Sequence, residues 1–427
     1  MRKLNPRSKK SSTPSITLTE RHLIRKNDPL YKELDELTFK AKNLYNATLY
    51  AMRQHFFVRG FFPSYQTVNK AFTHGNQPDY RSLPAKVSKH VQMEVEEACK
   101  SFTELQKLYS EGELENRPAL PRYLHKTRGR QTLHYERGAI SKPSLKKGII
   151  HLSRTNICIP TCVEPSSVQF VRVVPKPMAV VVEVGYKKEL PALPKESGRI
   201  AALDLGVNNL ALCSSNVMTP ILVDGRYLKS VNQRANKAIA RTVSDEEKRN
   251  GKKSSRRIQA MWQRRKNRIS DYLHKASRYL VNQFVSNQID TVIIGHNPGW
   301  KQDTNMGKRN NQNFCQIPYN ELIDMISYKC RLAGIRVIVT EESHTSKCSF
   351  LDNEECCHHD HYMGRRIKRG LFRCSDGRKI NADLNGSLNI LKKGMLSVDR
   401  WTDELYRECV EMNEKTSPVR YLVPRAG

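Results

Sequence analysis

The chain has 427 residues, with Lys+Arg 73 against Asp+Glu 42, a formal net charge of +31 and a hydrophobic fraction of 38%. That is apolar matter enough for two or three domains and far more positive charge than solubility needs, so a polyanionic partner, nucleic acid above all, is expected. No stretch approaches the roughly 20 apolar residues of a spanning helix, the opening MRKLNP has no apolar core behind it, and most of the eleven cysteines are scattered singly; membrane insertion and secretion are argued against, and a reducing cytoplasmic or nucleoid setting is expected.

Residues 1–27 are basic and Ser/Thr-rich, and SITLT from Ser15 alternates as a strand does. Leu30, Leu34, Leu37, Ala41, Leu44, Thr48 and Met52 then recur at spacings of three and four, and Val91, Val95, Ala98, Phe102, Leu105 and Leu108 repeat the pattern, so 28–125 reads as a small helical domain closed by Pro118, Pro121 and the basic KTRGR. Residues 126–195 return to β texture, IIHLSRTNICI and then two long strands joined around Pro175 and Pro177. A strand before the helices and strands after them predict a β-barrel-like module with a helical insertion.

From Arg199 the pattern is α/β. RIAALDLGVNN is an apolar strand with one acid, Asp204, and more β-like sequence follows it. A helix is predicted near 255–288 on Ile258, Met261, Ile269, Tyr272, Leu273, Ala276, Leu280 and Phe284. IDTVIIGHN reads as a buried strand, YNELIDMISYKCRLAG as a helix stopped by Gly334, IRVIVTEES as the next strand, and INADLNGSLNILKKG as a helix. The tail 401–427 reads as a short helix and a flexible end.

Three acids stand out by position: Asp204 inside its strand, Glu341 or Glu342 closing IRVIVT, and Asp383 opening the last helix. They lie far apart along the chain, so only a fold could gather them. On a strongly basic protein, the chemistry that wants such a set is metal-assisted phosphodiester cleavage, in which hard oxygen ligands hold two Mg2+ ions roughly 4 Å apart. Alone, each acid also reads as a turn, a solvated strand end or a helix cap.

The strings ALDLGVNNLA, DGRYLKSVNQRANK, IIGHNPGWKQ, EESHTSK and RIKRGLFRCSDGRKINADLNGSLNILKKG, in this order, resemble the TnpB family of transposon-encoded, RNA-guided DNA nucleases, which are related to Fanzor proteins and to type V CRISPR effectors. The resemblance is strong over 199–394 and looser before it. It implies a RuvC-like RNase H-fold nuclease domain in two parts, 196–345 and 375–400, interrupted by a zinc-ribbon-type insertion at 346–374, and preceded by a wedge β-barrel module (1–27 and 126–195) with an inserted recognition domain (28–125). Asp204 matches the first RuvC acid and Asp383 the third, both as magnesium ligands. Many relatives carry the second acid at the end of the strand that here reads TVIIGHN, where this chain has Gly295 and His296. A subgroup with GHN-type wording carries it in EES-x-TS instead, which implies Glu342, with Glu341 as the alternate; alternation along a strand lets only one of the two face the metals.

The insertion offers Cys348, Cys356, Cys357 and Cys374 without a Cys-x-x-Cys pair, so a Cys/His zinc set and a loop of reduced thiols both remain open. Lys248, Arg249, Lys252, Lys253, Arg256, Arg257, Arg264, Arg265, Lys266 and Arg268 form one basic run, and Arg365, Arg366, Lys368 and Arg369 another beside the third acid. Such runs neutralise phosphates without reading sequence, as a guide RNA and its heteroduplex require, and each alone also reads as a solvated face. The expected protein is a magnesium-dependent endonuclease of prokaryotic type that binds a transposon-end guide RNA and cuts complementary double-stranded DNA beside a short flanking motif, with neither a membrane nor a small-molecule substrate. The rivals are a nuclease-inactive RNA-guided repressor, a CRISPR-associated descendant with a separate guide, and a strand-transfer transposase.

Overall fold

A computed structural model describes residues 14–193, 196–297, 299 and 307–424. The first thirteen residues of the basic N-terminal segment, and the last three of the tail, lie outside the described residues. The chain divides into two compact units, residues 1–189 and 190–427. Among the described residues no helix is long and apolar enough to cross a membrane.

The first unit begins with β1 (Ser15–Arg25), followed by α1 (Tyr31–Arg59), α2 (Tyr65–His74), α3 (Pro78–Arg81) and α4 (Ala85–Ser110). After them come β2 (Leu133–Glu136), α5 (Lys142–Lys146), the short pair β3 (Ile149–His151) and β4 (Cys158–Pro160), and the hairpin β5 (Val168–Lys176) and β6 (Ala179–Glu189). The predicted stripe of α1 is the face it buries: Leu34, Leu37, Ala41, Leu44, Thr48 and Met52 are all inside, and left-handed Gly60 ends the helix. On α4 Val91 and Val95 are buried, Ala98, Phe102 and Leu108 are half-buried with Phe102 edge-on to Phe56 and Phe62, and Leu105 alone of the predicted stripe is exposed. The sheet is antiparallel in the order β1-β6-β5-β2, with β1 laddered along the whole of β6, so the helices enter between an edge strand and the far edge of one sheet. The pair β3–β4 stands apart from that sheet.

The second unit opens with β7 (Ile200–Leu205), β8 (Asn209–Ser215) and β9 (Ile221–Asp224), then α6 (Arg226–Asn250), α7 (Arg256–Ser286), β10 (Thr291–Gly295), α8 (Lys308–Cys315), α9 (Tyr319–Leu332) and β11 (Arg336–Thr340). A small sheet of β12 (Arg365–Lys368), β13 (Leu371–Arg373) and β14 (Lys379–Asn381) leads into α10 (Ala382–Leu396), and α11 (Asp403–Asn413) and β15 (Val419–Tyr421) close the chain. The main sheet is ordered β11-β10-β7-β8-β9-β15: β7, β10 and β11 run parallel, and β8 runs antiparallel to both its neighbours. This is the α/β layer expected from Arg199 onward.

Alternation along β7 sorts its residues between two cores. Ala201, Leu203 and Leu205 face α7 and α9, whereas Ile200 and Ala202 face α10. Asp204 falls in the second series, so the acid in the apolar strand points to the α10 side. Helix α10 is buried almost all round and lies close on the sheet: a Cβ at Gly394 would stand 2.4 Å from Ile293.

Two elements differ from expectation. Residues 226–250 form the long helix α6, which the sequence hides because its buried stripe, Leu228, Val231, Asn232, Ile239 and Thr242, is sparse and partly polar. The tail holds the expected short helix, and after it a strand the sequence did not announce: β15 pairs in parallel with β9, Arg420 binds Asp224 at 2.7 Å, and Tyr421 stacks on Tyr279.

Candidate active site

The three acids come from three elements of the second unit. Asp204 sits near the end of β7, Glu342 just past β11, and Asp383 in the first turn of α10. Asn381 caps α10 by accepting hydrogen bonds from the Asp383 and Leu384 N–H groups, which fixes where Asp383 leaves the helix. The Asp204 carboxylate lies against Gly386, where a Cβ would stand 3.0 Å from Oδ2; any other residue there would push the acid away from the helix. The turn GVNN after β7 brings Asn209 over the same helix end, and its Nδ2 donates to Asp383 Oδ2 at 2.6 Å.

The electrostatics tie the three together. Burial, then the neighbouring charges of Glu342 and Asp383, hold the Asp204 carboxyl well above the usual carboxylate range. Burial alone pushes Glu342 up to about 7. Asp383 is instead engaged on its other oxygen by Arg366 of β12, at 3.1 Å. Glu341, the alternate second acid, is exposed and turned to Lys393 at 3.2 Å, and the hydrogen bonds from Ser343 and Lys393 keep its carboxyl low. Of the adjacent pair, Glu342 is therefore the member beside Asp204. Among the described residues, no three Asp, Glu, His or Cys side chains are closed to metal-binding distance.

Several residues that build this site were not singled out from the sequence. Asn385 and Asn389, buried on α10, hold the segment that follows Glu342: Asn385 accepts from Phe350 N–H and donates to the Cys348 carbonyl, and Asn389 donates to the carbonyls of Thr345 and Cys348. Their signal was present, two amides one turn apart on a helix rich in Leu and Ile. Asn297, two residues past β10, accepts the Glu342 N–H at 2.9 Å, which no spacing rule would have found.

The four candidate zinc thiols are not gathered into one set. Cys348 points to the Cys357 carbonyl at 3.6 Å and Cys356 to that of Asn389 at 3.9 Å, while Cys357 lies 3.4 Å from His359 Nε2. Cys374 is buried in the core beneath α10. Burial pushes the Cys356 thiol up to about 12 and raises those of Cys348 and Cys374.

The basic runs divide. Lys252, Lys253, Arg256, Arg257, Arg264 and Lys266 are exposed around the α6–α7 connection, although Lys253 is partnered by Glu247 at 3.3 Å. Arg265 is different: it donates to Asn232 Oδ1 at 2.8 Å and to the Gln316 carbonyl, and burial lowers its affinity for the proton, so it joins α7 to α6 instead of offering charge to solvent. Arg365, Arg366 and Lys368 line the exposed edge strand β12, and Arg369 follows it. In the first unit, the guanidinium of Arg53 lies over the rings of Phe57 and Tyr123, at 5.7 and 5.0 Å. Asn46 pins the basic stretch that carries Tyr123 along α1 through both polar groups of Leu124.

Comparison with known proteins agrees with these segments. Residues 179–301 match the OrfB_IS605 family, described as a probable transposase, and residues 319–390 match the TNB domain of the Cas12f1-like family. The TnpB-like protein ORF457 of Acidianus two-tailed virus is 26% identical over 220 residues, 49% of this chain and 45% of its own. The CRISPR-associated endodeoxyribonuclease Cas12f2 of Micrarchaeota archaeon (strain CG1_02_47_40) is 27% identical over 228 residues, 49% of this chain and 39% of its own. The chain thus spans under half the length of these curated relatives. Among solved structures, the mini-RNA-guided endonuclease CRISPR-Cas_phi3 aligns over 89% of this chain and 92% of its own at 11% identity and a TM-score of 0.43, too distant to carry weight. Its two matched segments and the relatives that share them make the chain similar to TnpB-like and Cas12f proteins over its second half.

Proposed function

We propose that the protein is an RNA-guided DNA endonuclease whose second unit is a RuvC-like nuclease domain and whose reaction is hydrolysis of both strands of a DNA paired to a transposon-end guide RNA. The observation that carries this reading is the meeting of Asp204, Glu342 and Asp383 at one end of the sheet. Two are drawn out of water, on a chain that otherwise carries +31. The sheet supports it: an antiparallel β7-β8-β9 meander continued by parallel β10 and β11 on the other side of β7 is the strand order of the RNase H fold.

The donor set fits magnesium, since all three groups are hard carboxylate oxygens, and the burial and then the repulsion that raise Asp204 are what a bound divalent cation would offset. Bound magnesium would supply an activated water and stabilise the leaving oxygen. The chain's own residues do the rest. Asn209 and Asn381 orient Asp383, Gly386 admits Asp204 against α10, and Arg366 offers a guanidinium to a phosphate once released from Asp383. Lys252, Arg256 and Arg257 would hold the RNA backbone. In the first unit we assign β1, β5 and β6 to a wedge-type module and the α1–α4 insertion to recognition, with Arg53, Phe57 and Tyr123 as a surface suited to bases and phosphates.

The test is to express the full chain with its native downstream DNA, sequence the RNA that copurifies, and assay cleavage of a matching plasmid library in magnesium, with Asp204→Ala as control. Cutting that depends on a discrete RNA and on Asp204 is expected. Binding of RNA and target without cutting would make the protein a repressor, and absence of any bound RNA would remove the guided mechanism.

A further inference from the structure

Trp262 stands four residues after Ile258 and seven before Ile269, so it falls on the stripe that α7 buries. Ile258 and Ile269 are inside, yet Trp262 is 42% exposed, the bulkiest exposed apolar side chain among the described residues. Its ring is not loose. The Arg265 guanidinium, one turn on, stands over the indole at 5.4 Å. That guanidinium is itself tied down: it donates to Asn232 Oδ1 on α6 at 2.8 Å and to the Gln316 carbonyl at 3.3 Å. An anchored cation thus backs the ring and holds it for whatever meets its exposed side. The surroundings point to a polyanion. Lys266, one turn further on, is exposed on the same side of the helix, and Lys252, Arg256 and Arg257 are exposed at its start. None of these four has an acid partner among the described residues. An apolar protein segment laid there would leave the cations uncompensated, whereas a strand with its phosphates on them can lay a base on the indole.

We propose that Trp262, backed by Arg265, is a shelf on which one unpaired base of a single-stranded nucleic acid stacks. This rests on the reading above in which the α6–α7 run holds a nucleic-acid backbone; the cations take the phosphates and the ring takes the base. Every base has a π-face, so the shelf selects single strand over duplex and not one base over another. Arg265 is a positioning residue. With its guanidinium anchored, the ring is set before the base arrives, and less side-chain freedom is lost on binding.

The test is fluorescence titration of the full-length chain, in chelator, with oligothymidylate and with an abasic strand of equal length and equal charge; thermal melts check folding. Oligothymidylate is expected to quench tryptophan emission in the parent. Trp262→Phe should bind it within about threefold of the parent with that quench lost, since the smaller ring still stacks. Trp262→Ala should bind it at least roughly fivefold more weakly, with the salt dependence unchanged because no charge has been removed. The abasic strand should bind the parent and Trp262→Ala alike. Arg265→Lys keeps a charge but not the fork that reaches both Asn232 and Gln316, and should weaken oligothymidylate by about two- to fivefold at the same salt slope. The proposal is overturned if Trp262→Phe retains the whole quench, or if Trp262→Ala binds oligothymidylate as tightly as the parent. If the parent binds the two strands equally well, the run holds phosphates and the shelf alone fails. If the parent binds neither, the nucleic-acid reading of the run fails and takes the shelf with it.

Discussion

Arg366 is the only cation paired with an acid of the site among the described residues, and it is half exposed on an edge strand. An ion pair of that kind contributes about 1 kcal/mol. Arg366→Ala should therefore raise the affinity of the nucleic-acid-free protein for Mn2+ by roughly fivefold, read by titration, while lowering cleavage through loss of a phosphate contact. Lys329 gives a test of a different kind. It is buried on α9, where its ammonium donates to the His274 carbonyl and the Ser277 hydroxyl, and burial, assisted by Arg278, pulls it down to about 8 from 10.5. Between those pH values the unfolded chain holds a proton that the folded chain has shed, so this group makes stability rise with pH from about 8 to 10.5. Lys329→Met should flatten that rise, by up to roughly 3 kcal/mol, in chemical denaturation measured across the range. A parallel rise in both proteins would show that Lys329 is not its source.

At the scale of elements, α10 joins the site to the core. Its apolar positions and Gly394 pack on the sheet, its first turn presents Asp383, and its buried amides hold the chain beyond Glu342. Asn385→Ala would leave the buried Phe350 N–H without an acceptor, so it should cost about 2–3 kcal/mol in urea denaturation. It should also loosen the segment behind Glu342 and lower cleavage more than an equally destabilising change elsewhere in that core. Helix α6 shows where periodicity stops being informative. Its inner face is held partly by Asn232, which receives Arg265, so the signal that marks a helix in α1 and α7 is diluted by a polar contact that no hydropathy pattern reports. The same contact removes Arg265 from the surface run it belongs to in sequence.

For the whole molecule the net charge of +31 sets the scale of nucleic-acid binding. Replacing Lys252, Lys253, Arg256 and Arg257 by Ala should lower the dependence of log affinity on log salt by roughly three for an RNA duplex, since Lys253 already has Glu247 as a partner. An unchanged slope would mark that run as a solvated face. The sequence by itself determined β7, α7, β10, α9, β11 and α10 of the second half, the stripe of α1, and the two outer acids as candidates, because those signals are local: periodicity, caps, and an acid where an apolar strand should have none. It also narrowed the second acid to two adjacent residues. Only the tertiary structure decided which of the two meets Asp204, that β15 closes the sheet edge, and that Asn297 holds the main chain at Glu342. Those outcomes depend on register between strands distant in the chain and on which side chain fills a space that another leaves, and neither is written in any window of neighbouring residues.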